Sequence, residues 1–302
     1  MAAVRALPGN LDPQIRHLLR HCYTFSSSYC AGKSKKRMKP ETSKQSSGRK
    51  SRAFPSIEII PLMGLPEIAP GDDLTELIVK AAKKRNLSVQ AGNLFVVAQK
   101  IVSKSEGKIV QLSSVEPSKR AVRWASKYNK DARVIELVLR ESKRIVRMEK
   151  GVIIAETRCG FICANAGVDT SNTESGTAVL LPEDPDLSAR RLQVGLARKF
   201  GVPIAVLISD TFGRPWREGL VNVALGVAGI NALTDYRGRR DANGKALRST
   251  IIASADELAS AAELVMGKSK GIPVAIIRGL ARARGQRNGR DLIRPARLDL
   301  FR

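Results

Sequence analysis

Histidine is nearly missing from this chain: two residues, His17 and His21, among 302. A Ser–His–Asp triad built in the body of the protein is thereby excluded. Aromatic side chains make up 4%, too few for a platform on which single-stranded nucleic acid would stack. Four cysteines exclude a disulfide scaffold and suit a reducing compartment. No apolar run approaches the roughly 18 residues of a helical membrane span. The start of the chain carries no uninterrupted apolar stretch with a small-residue cleavage site, so no secretory signal is expected and the expected location is cytoplasmic. Acidic residues are the minority, 28 against 52 Lys and Arg, for a net charge of +24.

That excess is unevenly placed. Residues 1–52 hold 12 basic and 2 acidic side chains, and residues 281–302 hold 7 and 2. The body of the chain is therefore only moderately basic, as suits a handler of polyanionic small molecules. Residues 26–52, rich in Ser and Lys and without apolar periodicity, read as disordered. The expected organisation is a basic extension over 1–55, a folded domain over 56–280 and a loose basic tail over 281–302. The charge also leaves open a nucleic-acid-binding protein that uses these basic ends.

From Ser56 the pattern changes. Ile57–Leu62 reads as a short strand. Leu74, Leu77, Ile78, Ala81 and Ala82 fall at helical spacing behind Asp73. Leu94–Ala98 reads as a buried strand, Pro117 as the first residue of a helix, and about 131–143 as a further helix. Val152–Ala155 and Phe161–Ala164 read as strands. Asp186-Leu187-Ser188 should cap a helix running to Phe200, stopped by Gly201 and Pro203. Ile204–Ser209 is a continuous apolar run, the mark of a strand covered on both faces. Ser254 and Glu257 have the spacing of a capping box, and Ile272–Ile277 reads as the last strand. The irregular mixture points to a mixed α/β (α+β) domain rather than a doubly wound sheet.

The densest chemical signal is Ser209-Asp210-Thr211-Phe212-Gly213-Arg214-Pro215-Trp216-Arg217. A buried strand ending in a carboxylate suits a hard cation such as Mg²⁺ or Mn²⁺. Arg214 and Arg217 could grip carboxylate or phosphate oxygens. A structural turn in which Asp210 pairs with an arginine reads equally well. Asn165-Ala166-Gly167-Val168-Asp169-Thr170-Ser171-Asn172 sets a cluster of oxygen carriers directly after a strand, either a site or an Asx turn. In Gln99-Lys100-Ile101-Val102-Ser103-Lys104 the two lysines could meet phosphates, or the segment could be a solvated turn. Asp235–Lys245 is a charged, glycine-punctuated loop that suits a substrate lid or plain solvent. Gly267-Lys268-Ser269 lacks the earlier glycine of a standard phosphate loop, Ala262 standing there instead. Cys159 and Cys163 have no second Cys/His pair nearby, and His17, His21, Cys22 and Cys30 have poor zinc spacing.

Taken in order, IPLMGLPEIAPGDDL (59–74), VVAQKIVSKSEG (96–107), NAGVDTSN (165–172), SDTFGRPWREG (209–219), DYRGRRDANGKAL (235–247) and MGKSKGIPVAIIRGL (266–280) resemble the coenzyme F420-0:L-glutamate ligase (gamma-glutamyl ligase) family. The resemblance covers about residues 56–280. It implies a family-specific fold, a mixed sheet flanked by helices in an intertwined homodimer. It also implies a GTP-dependent ligase that joins L-glutamate to the lactyl carboxylate of coenzyme F420-0 through an acyl phosphate, with further glutamates added by γ-linkage. Mg²⁺ or Mn²⁺ would serve, with K⁺ as a further candidate ion. By the family pattern Asp169, Asp210 and Thr211 hold the metal. Leu65, Pro66, Glu67 and Ile68, then Gln99, Lys100, Lys104 and Asn172, and then Met266, Gly267, Lys268, Ser269, Lys270, Gly271 and Ile272 contact GTP. Lys268 departs from the acidic or amide residue of other members, and Gln99-Lys100 from their hydroxyl pair. An amide ligase of this fold acting on another carboxylate would read the same way.

Overall fold

The structure, a computed structural model, describes residues 56–280 and 288–300. The basic extension expected over 1–55, with His17, His21, Cys22 and Cys30, lies outside the described residues. In chain order the elements are β1 (Glu58–Pro61), α1 (Leu74–Lys84), β2 (Leu94–Ala98), α2 (Gln99–Ser105), β3 (Ile109–Gln111), α3 (Lys119–Tyr128), α4 (Ala132–Glu141), β4 (Ser142–Glu149), β5 (Val152–Thr157), β6 (Ile162–Ala164), β7 (Thr177–Val179), α5 (Pro185–Phe200), β8 (Ala205–Gly213), β9 (Leu220–Ala228), β10 (Thr234–Asp235), β11 (Ile251–Ile252), α6 (Ser254–Met266) and β12 (Val274–Arg278).

The central sheet runs β1-β12-β2-β8-β9. Only β2 and β8 are parallel; the other neighbours are antiparallel. This is the expected mixed α+β arrangement. Among its middle strands β2 is apolar throughout, β12 over Val274–Ile277 and β8 over Ala205–Ile208, because both faces are covered there. Phe95, Val97, Val206, Ile208 and Ile276 face α1 and α5, meeting Ile78, Leu192 and Leu196. The alternate residues Leu94, Val96, Leu207 and Ile277 face α6, whose Ala255, Ala259 and Ala262 permit close approach. A second, smaller layer, β4-β5-β6, packs Ile153 and Ala155 against Ala121 and Ala125 of α3 and Ile135 and Val138 of α4. Among the described residues no helix is long and apolar enough to cross a membrane.

Local chemistry explains the ends of the helices, and corrects several expectations. Asp73 caps α1 as expected, accepting from Thr75 N at 2.8 Å and Glu76 N at 3.2 Å. Pro117 lies before α3 rather than in it; Ser118 is the cap. Asp184, not Asp186, caps α5, with Pro185 at its first position. Asp186 is drawn instead to the backbone N–H groups of Val227 (2.9 Å) and Gly289 (2.7 Å). The capping box at Ser254 does not form; its hydroxyl is engaged with Thr234 Oγ1 at 2.6 Å.

Two further differences matter. β8 does not end at Ser209 but runs through a bulge to Gly213, paired along its length with β9. β9 can pass under the start of α5 only because of Gly226, where a Cβ would lie 2.0 Å from Pro185 O. Of the described part of the 281–302 tail, expected to be loose, the stretch around Gly289–Ile293 is packed, while 294–298 stay exposed. Gly289 fits against Leu225 O, and Ile293 joins Phe161, Leu181 and Leu225. The anchor is a buried acceptor, Asp186, which composition alone does not reveal.

Candidate active site

β2 and β8 run parallel and pair through to Ala98 and Ser209. Beyond their carboxyl ends a cleft of about 770 Å³ opens, the place where an open sheet with parallel strands presents ligands. Five separate segments line it: the stretch before α1, the start of α2, the loop after β6, the end of β8 with its partner β9, and the turn between α6 and β12.

β8 supplies Ser209, Asp210 and Thr211. Asp210 is half-buried. Burial pushes its pKa up to about 6; the Thr211 N–H opposes that rise, the nearby Asp169 charge reinforces it, and Lys268 and Lys100 offset part of it. Ser209 Oγ is buried and has no hydrogen-bond partner among the described residues. Thr211 Oγ1 donates to Asn222 Oδ1 at 2.7 Å. Asn222 Nδ2 donates to Glu263 Oε2 at 3.0 Å. Lys268 Nζ reaches Thr211 Oγ1, Asn222 Oδ1 at 3.3 Å and Glu263 Oε2 at 3.7 Å.

Asp169 enters from the opposite wall, at the end of a strained stretch. Asn165, Ala166 and Gly167 take φ of 54°, 51° and 74°, the left-handed region that costs a side-chain-bearing residue about 1–3 kcal/mol. Gly167 has no substitute, since a Cβ there would fall 2.4 Å from Leu181 Cγ. Paired backbone bonds with Val179 (3.0 and 2.8 Å) hold Asp169 in place. Its carboxylate meets Lys100 Nζ at 2.8 Å and Ser171 N at 2.7 Å. Burial would raise its pKa, but the hydrogen bonds from Lys100 and Ser171 prevail and hold it below the usual carboxylate value. Two carboxylates of one cleft are thus driven in opposite directions.

The lysines rise from one face of α2. The segment expected as a site or a solvated turn is a helix, which buries Gln99 at its start and Lys104 in its last turn. Lys104 Nζ contacts Glu67 and lies 3.4 Å from Asn172 O. Gln99 turns its amide inward to Ser103 Oγ (2.6 Å) and Leu180 O (3.2 Å). Leu65, Pro66 and Ile68 line the same wall as Glu67. Met266, Gly267, Lys268, Ser269, Gly271 and Ile272 line the opposite end. Gly267 and Gly271 bracket this last turn at φ of 61° and 63°.

Three expected residues are not in the cleft lining. Lys270 packs back over Gly267. Arg214 and Arg217 sit on the β8–β9 turn, and Arg214 is engaged with its own turn through Glu218 O and Gly219 O. Conversely, Asn222 and Glu263 line the cleft and belong to no sequence motif. Asn222 is legible only once β9 is paired with β8, and Glu263 only once α6 is laid on that hairpin.

The donor set is oxygen: two carboxylates, the Thr211 hydroxyl and the orphaned Ser209 hydroxyl. Among the described residues no three His, Cys, Asp or Glu side chains converge. Both facts fit a Mg²⁺-like ion, which is held by one or two carboxylates together with substrate phosphates and water rather than by a full protein cage.

Comparison with known proteins gives a consistent answer. Residues 63–279 match the model of a family described as F420-0:Gamma-glutamyl ligase. A Methanopyrus kandleri protein named Coenzyme F420:L-glutamate ligase is 46% identical over 254 residues, covering 82% of this chain and 99% of that protein. A protein of the same name from Methanothermobacter thermautotrophicus is 44% identical, with 82% and 99% covered. One from Methanocaldococcus jannaschii is 44% identical, with 74% and 93% covered.

Proposed function

The chain belongs to the F420-0:gamma-glutamyl ligase family, and from that premise we propose that it joins L-glutamate to the lactyl carboxylate of coenzyme F420-0, converting GTP to GDP and phosphate. Further glutamates follow by γ-linkage. The observation that carries this reading is the meeting of Asp169, Asp210 and Thr211 with Lys100, Lys104 and Lys268 in one cleft, from segments far apart in the chain.

The chemistry divides into two transfers. A carboxylate oxygen of the F420 precursor attacks the γ-phosphorus of GTP, the bond to the β–γ bridging oxygen breaks, and GDP leaves. The glutamate amine then attacks the acyl carbon, phosphate leaves with the bonding pair, and the amine loses its proton. Phosphoryl transfer needs alignment and charge neutralisation more than a covalent protein group. Lys104 and Lys100, fixed by a short helix, face the triphosphate from one side. Lys268 reaches it from the turn between α6 and β12 on the other. Leu65–Ile68 and Met266–Ile272 enclose the nucleoside, with Asn172 beside it. Asp169, Asp210 and Thr211 would hold Mg²⁺ or Mn²⁺, which when bound neutralises charge on the phosphate oxygens. The protein works as a homodimer, to be read by light scattering.

The test is to incubate the protein with F420-0, glutamate, Mn²⁺ and either GTP or ATP, and to follow glutamyl addition by mass spectrometry. Glutamyl addition with GTP supports the reading. Equal turnover with ATP overturns the nucleotide assignment. Activity on a different carboxylate in place of F420-0 overturns the substrate and favours an amide ligase of the same fold.

A further inference from the structure

Asn222 and Glu263 stand outside every motif, yet they are wired into the cleft. Asn222 lies directly opposite Thr211 in the β8–β9 register and is buried, with 4% of its surface exposed. Its backbone oxygen accepts from Ser260 Oγ of α6 at 2.7 Å. The residue is therefore held on both sides before its side chain is considered.

We propose that Glu263 and Asn222 are positioning residues that lock the hydroxyl of Thr211 with its lone pairs facing the cleft. This rests on the reading of the cleft as a site for a divalent cation with nucleotide phosphates. The argument is one of donors and acceptors. A carboxylate only accepts, so the end of the Asn222 amide 3.0 Å from Glu263 Oε2 is its NH₂. An ammonium only donates, so the end 3.3 Å from Lys268 Nζ is its carbonyl oxygen. Two ions of opposite sign, on different segments, fix the same orientation. A flipped amide would set donor against donor and acceptor against acceptor.

With the carbonyl so placed, Thr211 Oγ1 at 2.7 Å must spend its single proton on Asn222. What remains on that oxygen is acceptor capacity alone. Lys268 already uses it, and it is the capacity a hard cation requires. Without the relay the hydroxyl could rotate and present its hydrogen to the cleft. Glu263 and Asn222 thus prepare an oxygen for a cation without touching the cation themselves, as outer partners of a metal site do.

The experiment titrates Mn²⁺ into the full chain, without nucleotide, and reads free Mn²⁺ by electron paramagnetic resonance. Glu263→Met removes the acceptor at similar size; Glu263→Gln removes the charge but keeps an acceptor oxygen. The relay predicts a Mn²⁺ Kd raised about tenfold or more by methionine, and rescue to within roughly threefold by glutamine. Melting curves accompany both. Should methionine disturb folding, Glu263→Ala repeats the test on this partly exposed helix face, with the same weakening expected. Equal weakening by methionine and glutamine would show a simple charge effect and overturn the relay, as would unchanged binding in both. If the unsubstituted protein takes up no Mn²⁺, the metal reading of the cleft fails, and this assignment falls with it.

Discussion

Glu156 and Asp210 are both carboxylates on strands, one in the small β4-β5-β6 layer and one at the cleft, and the chain treats them oppositely. Glu156 meets Arg144 Nη2 at 3.0 Å and Lys143 Nζ at 3.3 Å. Hydrogen bonding from Arg144, helped by Lys143 and against the cost of burial, holds its pKa below the ordinary value. Asp210 has burial and a neighbouring carboxylate against it, and its pKa rises. The small layer satisfies its charges because its task is to stay folded. The cleft leaves Asp210 only partly compensated by Lys268 and Lys100, which supports its proposed role as a ligand of a divalent cation.

The comparison can be broken in several ways. The largest effect is expected at Asp169→Asn, which removes a proposed metal ligand and should cost turnover about 10²-fold, by analogy with loss of a preorganised electrostatic group. Its pH signature is separate. A lowered folded pKa means that the Asp169 charge stabilises the fold above the ordinary carboxylate value of 3.8 and stops doing so as pH falls through the folded pKa. The variant should therefore melt below the parent at neutral pH, with the gap closing in acid. A smaller effect is expected at Glu156→Gln, which loosens two cations that are themselves largely solvent-exposed. Urea unfolding should show a loss of about 1 kcal/mol or less, with turnover unchanged; a fall in turnover would show that the two regions are not distinct in kind. The smallest effect is expected from starting the chain at Arg52. That variant should keep cooperative unfolding and turnover, because residues 26–52 lack the apolar periodicity of a core element.

How far the sequence could be read depends on the range of the interactions involved. Leu94–Ala98 is legible residue for residue because burial on both faces writes itself as an unbroken apolar run. The end of β8 is not, because Asp210–Gly213 is held by pairing with β9, and β9 is itself interrupted by Asn222 and Gly226. Helix caps fail where a tertiary partner outbids the local one, as Val227 N and Gly289 N do for Asp186. The carboxylates and lysines of the cleft sit in compact motifs that resemblance could find. The relay of Asn222 and Glu263 is spread over two elements with no local signal. Arg214 and Arg217 show the converse: a charged motif adjoining Asp210 in sequence that β8 carries away from the cleft.

The central claim is that Asp210 is held in readiness for a cation, and Asp210→Asn tests it most directly. With a folded pKa of about 6 against an ordinary value of 3.8, wild-type Asp210 favours folding most below 3.8, and that contribution is lost as pH rises through about 6. Asparagine is neutral throughout. Measured without metal, the variant should therefore be more stable than the parent at pH 8, by up to about 3 kcal/mol, and equal to it in acid, while losing about 10²-fold in turnover across a Mn²⁺ titration. A folded variant that is no more stable at pH 8 and turns over normally would contradict the account.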